Sequence, residues 1–422
     1  MRINTTENIF DNKKIIYFMN IFIKLNILFF PFTILISTVT RIPNRVSLSI
    51  VLLYLTFENR NKFVPYMLKN KYKLLLLGLL VTFIAFYLDV VFDELILFLS
   101  FPIYFKIYKY SDFLESDDLK KYFNYSTLLF IVIVVLSKIY TIYSLGFYDF
   151  THNGYWWNKI IYMNLVDLIH GHPTYISMFI LISLIFLLNQ FIIKRSFFSK
   201  FNSAIVFIVQ FSFLILLSVK ITLLSIVIIL FLFIIRTVKS RNSKTFYPVI
   251  IIVILITFTL INSLPSIKYR FKIDIETMQN KENIFDTNSK FSERLALWKS
   301  SIDLIYENPF VGTSLQNISS KDAIFLKAVQ INSYIRIPKN SHNNFLEFGV
   351  RYGFAGFMLF LFLCIYSVYF GIKLDSFFIL AISSVFIVFS FTESFLVREM
   401  GVMLLAMTIG LLFKELNDER SI

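Results

Sequence analysis

Residues Ser203–Ile235 read SAIVFIVQFSFLILLSVKITLLSIVIILFLFII, a run whose single charge is Lys220. One helix of that length would measure about 50 Å at about 1.5 Å per residue. The hydrocarbon core of a bilayer is only about 30 Å thick. Basic residues flank both ends of the run: Lys194, Arg195 and Lys200 before it, Lys239, Arg241 and Lys244 after it. Positive flanks stay on the cytoplasmic side of a membrane. The run therefore enters and leaves on the same side, as a hairpin of two short spans. Its tip carries Lys220 and faces outward.

The rest of the chain follows the same logic. Hydrophobic residues make up 57% of the 422 and charged residues 16%, well below the roughly 25% charged residues of a soluble domain. Apolar runs such as Leu74–Leu88, Thr127–Ile139 and Val249–Ile261 are continuous rather than alternating, which selects helices over a transmembrane barrel. The expected fold is an all-α polytopic membrane protein of about twelve transmembrane helices with one large outer, periplasmic loop. Residues 1–264 hold spans one to nine, 265–343 the outer loop with an amphipathic helix, and 344–422 spans ten to twelve with a cytoplasmic tail. Both termini then lie in the cytoplasm, and the first apolar run reads as an uncleaved span, since no small-residue cleavage site follows it. The net charge of +14 sits mostly in the cytoplasmic connections, so it is a topology signal and no evidence for nucleic acid binding. The single cysteine, Cys364, lies in an apolar run and excludes an internal disulfide.

Polar chemistry collects on the outer face. Ser341–Gly356, SHNNFLEFGVRYGFAG, closes the long polar insert. His342 stands where the chain re-enters the membrane as a helix, whose N-terminus offers unpaired N–H groups and the positive end of a dipole. Imidazole there can hold or release a proton near neutral pH. The same stretch also reads as plain capping by Ser341, Asn343 or Asn344, with Glu347 completing a box-like pattern. His170-Gly-His172-Pro173 opens another span from outside, with Pro173 suited to a first helical position. Asp167, His170 and His172 are an incomplete metal set; capping and substrate contact compete with that reading, and no metal site is expected. In the insert, Phe291–Asn308 forms an amphipathic helix ended by Pro309, with Phe291, Leu295, Trp298, Ile302 and Ile305 on one stripe. Arg294 lies one turn from Trp298. It is either a solvated charge on an interfacial helix or a fork aimed at phosphate. Lys220 either snorkels to the surface or binds phosphate. P-loops, nucleophile elbows and GxGxxG are absent from the sequence, and Asp274-Ile275-Glu276 is the nearest approach to an outer Asp-x-Asp.

In this order the pieces resemble the O-antigen ligase/polymerase family, membrane glycosyltransferases of a GT-C-like fold. His342-Asn343-Asn344-Phe345-Leu346, with Gly353 and Gly356, looks like the family's His-Asn-x-x-Leu … Gly-x-x-Gly signature. Arg294-Leu295-Ala296-Leu297-Trp298, with Pro309 and Gly312, looks like its Arg-x-x-x-Trp … Pro-x-x-Gly segment. His172-Pro173-Thr174-Tyr175 resembles a stretch of one branch, and Ser218-Val219-Lys220 lies where the family has a Ser-Arg or Ser-Lys pair. Arg351 departs from the pattern, standing where many members have Glu; Glu347 is one helical turn away.

The resemblance implies glycan transfer from an undecaprenyl-diphosphate-linked donor to an acceptor hydroxyl, outside the cytoplasmic membrane. It implies His342 as the base, Arg294 and Lys220 on the diphosphate, and His170, His172, Tyr175, Asn343 and Trp298 as substrate contacts. No cofactor, metal or nucleotide is required. The acceptor is lipid A–core or another glycan for a ligase, and a lipid-linked repeat for a polymerase. A transporter of lipid-linked glycans is the alternative from another class. It would need charges along a mid-membrane path, whereas the polar groups here crowd one face.

Overall fold

A computed structural model describes residues 116–145, 173–193, 197–217, 219–239, 275–276, 279, 285, 287–315 and 319–420. The regular structure among them is entirely helical. The helices are α1 (Ser116–Leu145), α2 (Pro173–Ile193), α3 (Phe197–Leu217), α4 (Lys220–Lys239), α5 (Lys290–Glu307), α6 (Ser320–Ile331), α7 (Asn344–Lys373), α8 (Phe377–Ser390) and α9 (Glu399–Arg420). Among the described residues three helices are long and apolar enough to cross a membrane: Lys120–Ser137, Pro173–Gln190 and Asn344–Lys373. The spans expected before residue 116 and over 246–264 lie outside the described residues. So do Asp167, His170, His172 and the loop around them.

The chain forms two compact units. One contains the start of α1, to Ser126, and α9 from Met403 onward. The other holds Thr127–Val402 and with it every residue discussed below.

In this second unit, the run expected to turn at Lys220 breaks into α3 and α4 between Leu217 and Lys220. Val219 O accepts from Thr222 and Leu223 N–H, starting α4 at once. α2 is sheathed on all sides, with Ile176, Phe179, Ile182, Ile185 and Phe186 at 0% exposure. A helix apolar all round is buried rather than amphipathic. Phe186 meets Phe378 of α8 at 5.3 Å, and Phe233 of α4 meets Phe377 edge-on at 5.7 Å. At this end Arg236 of α4 pairs with Asp375, in the turn between α7 and α8. The opposite ends of the same helices therefore share the other side, which is the side of the site.

The insert packs on α7. Its core is Leu297 and Leu304 of α5, Ile324 and Ala328 of α6, Ile335, and Val350 of α7. This corrects the expected stripe on α5. Ile302 is exposed, and the buried face is Ser292, Ala296, Leu297, Ser300, Ser301 and Leu304. Ser300 and Ser301 donate back to Ala296 O and Leu297 O at 2.8 and 2.7 Å. A serine satisfied within its own helix presents a small, nearly apolar surface, and hydropathy alone does not reveal that.

α7 is not one straight span. Gly353 has φ 69° and ψ −165°, a conformation open essentially only to glycine. The break receives the end of the insert: Phe354 N–H donates to Pro309 O at 2.6 Å. Gly312, with φ 61°, fits against Val350 and Arg351 backbone. Before the break Asn344, Phe345, Glu347, Gly349 and Val350 are buried. From Tyr352 on, large apolar side chains are exposed, including Leu359, Phe362, Ile365, Tyr369 and Ile372. The lipid-compatible surface thus begins near Gly353, about 14 Å along the helix from its start at about 1.5 Å per residue, and not at Asn344.

Candidate functional site

The local backbone explains why His342 projects. Asn343 is the N-cap of α7, in extended conformation (φ −157°, ψ 117°), and its side-chain oxygen accepts from Leu346 N–H at 3.1 Å. His342, just before it, has φ 48°. That left-handed turn takes the imidazole out of the helix line and leaves capping to its neighbour. Its side chain is 26% exposed. Capping therefore falls on Asn343 and leaves the His342 side chain out of the cap.

Behind the cap, Glu347 is fully buried and fully engaged. Its Oε2 accepts from Ser341 N–H and Oγ–H, both at 3.0 Å. Its Oε1 accepts from Ser320 Oγ at 3.1 Å and Arg351 Nε at 3.0 Å. A buried carboxylate needs such compensation. The Arg351 departure from the family pattern thus has a role: it neutralises Glu347 one helical turn away.

The loop after α8 is stitched to this turn by both asparagines. Asn343 N–H donates to Ser394 Oγ at 2.9 Å, and Asn343 Nδ2 to Phe391 O at 3.2 Å. Asn344 Nδ2 donates to Ser390 Oγ at 3.1 Å, and its Oδ1 accepts from Leu396 N–H at 3.2 Å. The loop presents Glu393, whose side chain is only 4% exposed. Its Oε2 lies 3.2 Å from His342 Nδ1, and its Oε1 is 3.0 Å from Arg294 Nη2. Arg294 remains 39% exposed. With five N–H groups in a guanidinium, several stay available for a further anion.

Tyr175, in the first turn of α2, is hydrogen-bonded to Arg398 and lies within electrostatic reach of Glu393. Nearby, Thr222 of α4 donates to Ser177 of α2 at 2.6 Å. That bond fixes Lys220, two residues earlier, at the Tyr175 end of α2; Lys220 itself is half-buried. Trp298 follows Arg294 by one turn, and its Nε1 is buried with no hydrogen-bond partner among the described residues. The structure thus gathers Arg294, His342 and Tyr175 around Glu393, with Lys220 tied to the same end of the bundle.

Glu393 was missed from the sequence. The available signal was an acid in the polar break Thr392-Glu393-Ser394 between two apolar runs, on the face that the span count puts outside. A small cleft lined by Ser289, Lys290, Glu293, Asn332 and Tyr334 lies elsewhere on the insert. Its polar groups are spent on packing: Asn332 Nδ2 donates to Phe285 O at 2.7 Å, and Lys339 pairs with Glu293. Among the described residues no group of three or more His, Cys, Asp and Glu is placed to hold a metal ion.

The α3–α4 break, the docked insert and the projecting His342 all fall within residues 204–361, which match the model of the O-antigen ligase family. Over that stretch the chain is similar to the O-antigen ligase family. The match takes in Lys220, Arg294, His342, Gly353 and Gly356; Tyr175 and Glu393 lie beyond it. The O-antigen ligase family points to a membrane enzyme acting on lipid-linked glycans. No curated protein matches the chain.

Proposed function

We propose that this chain transfers a glycan from an undecaprenyl-diphosphate-linked donor to an acceptor hydroxyl, on the outer face of the cytoplasmic membrane. Both termini are cytoplasmic and the insert lies outside in this reading. The observation that carries the reading is the convergence of Arg294 and His342 on one buried carboxylate, each from a motif of the O-antigen ligase type. In the reaction His342 Nε2 takes the acceptor proton as the hydroxyl oxygen bonds to the anomeric carbon. The bond from that carbon to the phosphate oxygen breaks, and the electron pair leaves on the lipid diphosphate. That leaving group is already a stable anion, so the site needs fixed cations to hold it. Arg294 supplies a bidentate fork and Lys220 a point charge. Neither a metal nor a nucleotide is needed for this chemistry.

The test is transfer by purified protein from a polyprenyl-diphosphate-linked glycan to saccharide acceptors, with EDTA present. His342→Ala should lower the rate by about 10²–10⁴ while the protein still accumulates in the membrane, since His342 is outside the packed helix. Wild-type turnover by that variant would remove the base assignment. A lipid-linked glycan accepted in place of a free saccharide would mark a polymerase instead of a ligase. A cysteine at Asn317 should react with a membrane-impermeant reagent from outside and one at Asn242 should not; the reverse pattern defeats the topology.

A further inference from the structure

We propose that Glu393 is the positioning residue of the site: it holds His342 in the one tautomer and orientation in which Nε2 faces the acceptor hydroxyl. The inference rests on the reading of His342 as base and adds a residue that the O-antigen ligase match, ending at residue 361, does not reach.

Three observations carry it. The first is the division of labour within the carboxylate. Oε1 is taken by Arg294 at 3.0 Å and Oε2 by His342 Nδ1 at 3.2 Å. A carboxylate serving only to neutralise Arg294 would offer both oxygens to the guanidinium fork. The second is burial. At 4% exposure the Glu393 side chain has little water to turn to, and a buried anion is costly unless paired and hydrogen-bonded. The third is rigidity. Asn343, Asn344, Ser390 and Ser394 lock the loop to the turn bearing His342 through four hydrogen bonds of 2.9–3.2 Å. Loop and imidazole therefore hold a fixed register.

The chemistry follows from hydrogen-bond direction. A carboxylate only accepts, so Nδ1 must carry the hydrogen that it donates to Oε2. In a neutral ring Nε2 is then the bare nitrogen, able to accept a proton. When Nε2 takes the acceptor's proton the ring becomes a cation, and Glu393 stabilises it without becoming protonated. The proton afterwards leaves from Nε2 to water. The charged groups facing the ring are Glu393, Arg294 from α5 across the same carboxylate, and Arg398 in the Glu393 loop. Among the described residues, Tyr175 of α2 and the Glu347–Arg351 pair behind Ser341 are the further titratable neighbours.

The experiment compares wild type, Glu393→Leu, Glu393→Asp and His342→Ala by steady-state transfer and by ¹⁵N spectra of histidine-labelled protein in lipid. The spectra are recorded in alkaline buffer, where imidazole is neutral. The chain has four histidines, so the signal lost in His342→Ala assigns the ring. The expected wild-type ring is hydrogenated on Nδ1. Glu393→Leu should lose this tautomer preference and lower kcat about 10²-fold, with donor KM little changed. Glu393→Asp should keep the tautomer and recover part of kcat. A wild-type ring hydrogenated on Nε2 overturns the proposal outright, even if Glu393→Leu does not fold. So does a Glu393→Leu that raises donor KM with kcat and tautomer intact, since the carboxylate would then serve Arg294 alone. Either result leaves His342 as base if His342→Ala is inactive. An active His342→Ala instead removes the base reading, and with it the role of Glu393 in catalysis.

Discussion

Replacing Gly353 by alanine should uncouple the insert from α7, although Gly353 touches none of the residues assigned to chemistry. The structure supplies the magnitude. A Cβ at Gly353 would fall 2.5 Å from Pro309 O and 2.7 Å from Phe310 C, both backbone atoms that cannot rotate away. The backbone itself, at φ 69° and ψ −165°, is strained for alanine, at about 1–3 kcal/mol. Overpacking adds about 1–3 kcal/mol, and losing the 2.6 Å bond from Phe354 N–H to Pro309 O about 1 kcal/mol. At about 3 kcal/mol, near the low end, the ratio of undocked to docked insert rises by about 150-fold. Trypsin should then cut α5, which offers Lys290, Arg294 and Lys299, about two orders of magnitude faster when opening equilibrates rapidly. Gly349→Ala is the control. Its Cβ meets Ile305 Cδ1 at 2.5 Å, the far end of a flexible side chain that can swing aside. Transfer should fall with docking, because only the docked insert holds Arg294 against Glu393. Equal cleavage of the two alanine variants would refute the reasoning, and so would full activity in a Gly353→Ala protein whose insert is open.

The cations offer a second test. Lys220→Arg should keep transfer and Lys220→Met should lose it, since the role proposed for Lys220 is that of a point charge on the diphosphate. Arg294→Lys should be impaired with every acceptor, because one ammonium cannot both hold Glu393 and grip a diphosphate as a fork does; impairment with one acceptor only would make Arg294 an acceptor contact. The insert should also be acid-labile. Burial pushes the Glu293 carboxyl up, but the Lys339 hydrogen bond and the charges of Lys290 and Lys339 outweigh it and leave the carboxyl lowered. A carboxyl lowered in the folded state stabilises it at neutral pH and loses that contribution as pH falls through the folded value, which lies below that of an ordinary glutamate. Pepsin cleavage of the insert should accelerate across that range, and less so in Lys339→Met, where the pairing is already gone.

Several features were legible because they rest on local rules. A run too long for one span of a bilayer has to be interrupted, and the chain breaks between α3 and α4 just before Lys220. Pro309 ends α5, since it has no N–H to donate and clashes with the preceding turn. Asn343 with Leu346 N–H starts α7, which leaves His342 at its mouth. Each of these follows from residues within a few positions of one another.

Other features depend on contacts between distant segments. Glu393 comes within 3.2 Å of His342 across 51 positions, and only the bonds of Asn343 and Asn344 to its loop put it there. Nothing in the local pattern of Thr392-Glu393-Ser394 separates a buried ion-pair partner from a solvated turn acid. The inward face of α5 was misread because Ser300 and Ser301 satisfy their hydroxyls within their own helix and then bury as small residues. The break at Gly353 was hidden inside an apolar run of helical length, because a glycine there is compatible with a continuous helix until another backbone, that of Pro309 and Phe310, occupies the space a Cβ would need. Sequence sets which elements form and where they must end, since hydrogen bonding along the chain and transfer into lipid act locally; which charge meets which, and which glycine must bend, is fixed only when separate helices exclude one another's volume and a buried carboxylate has to find its donors.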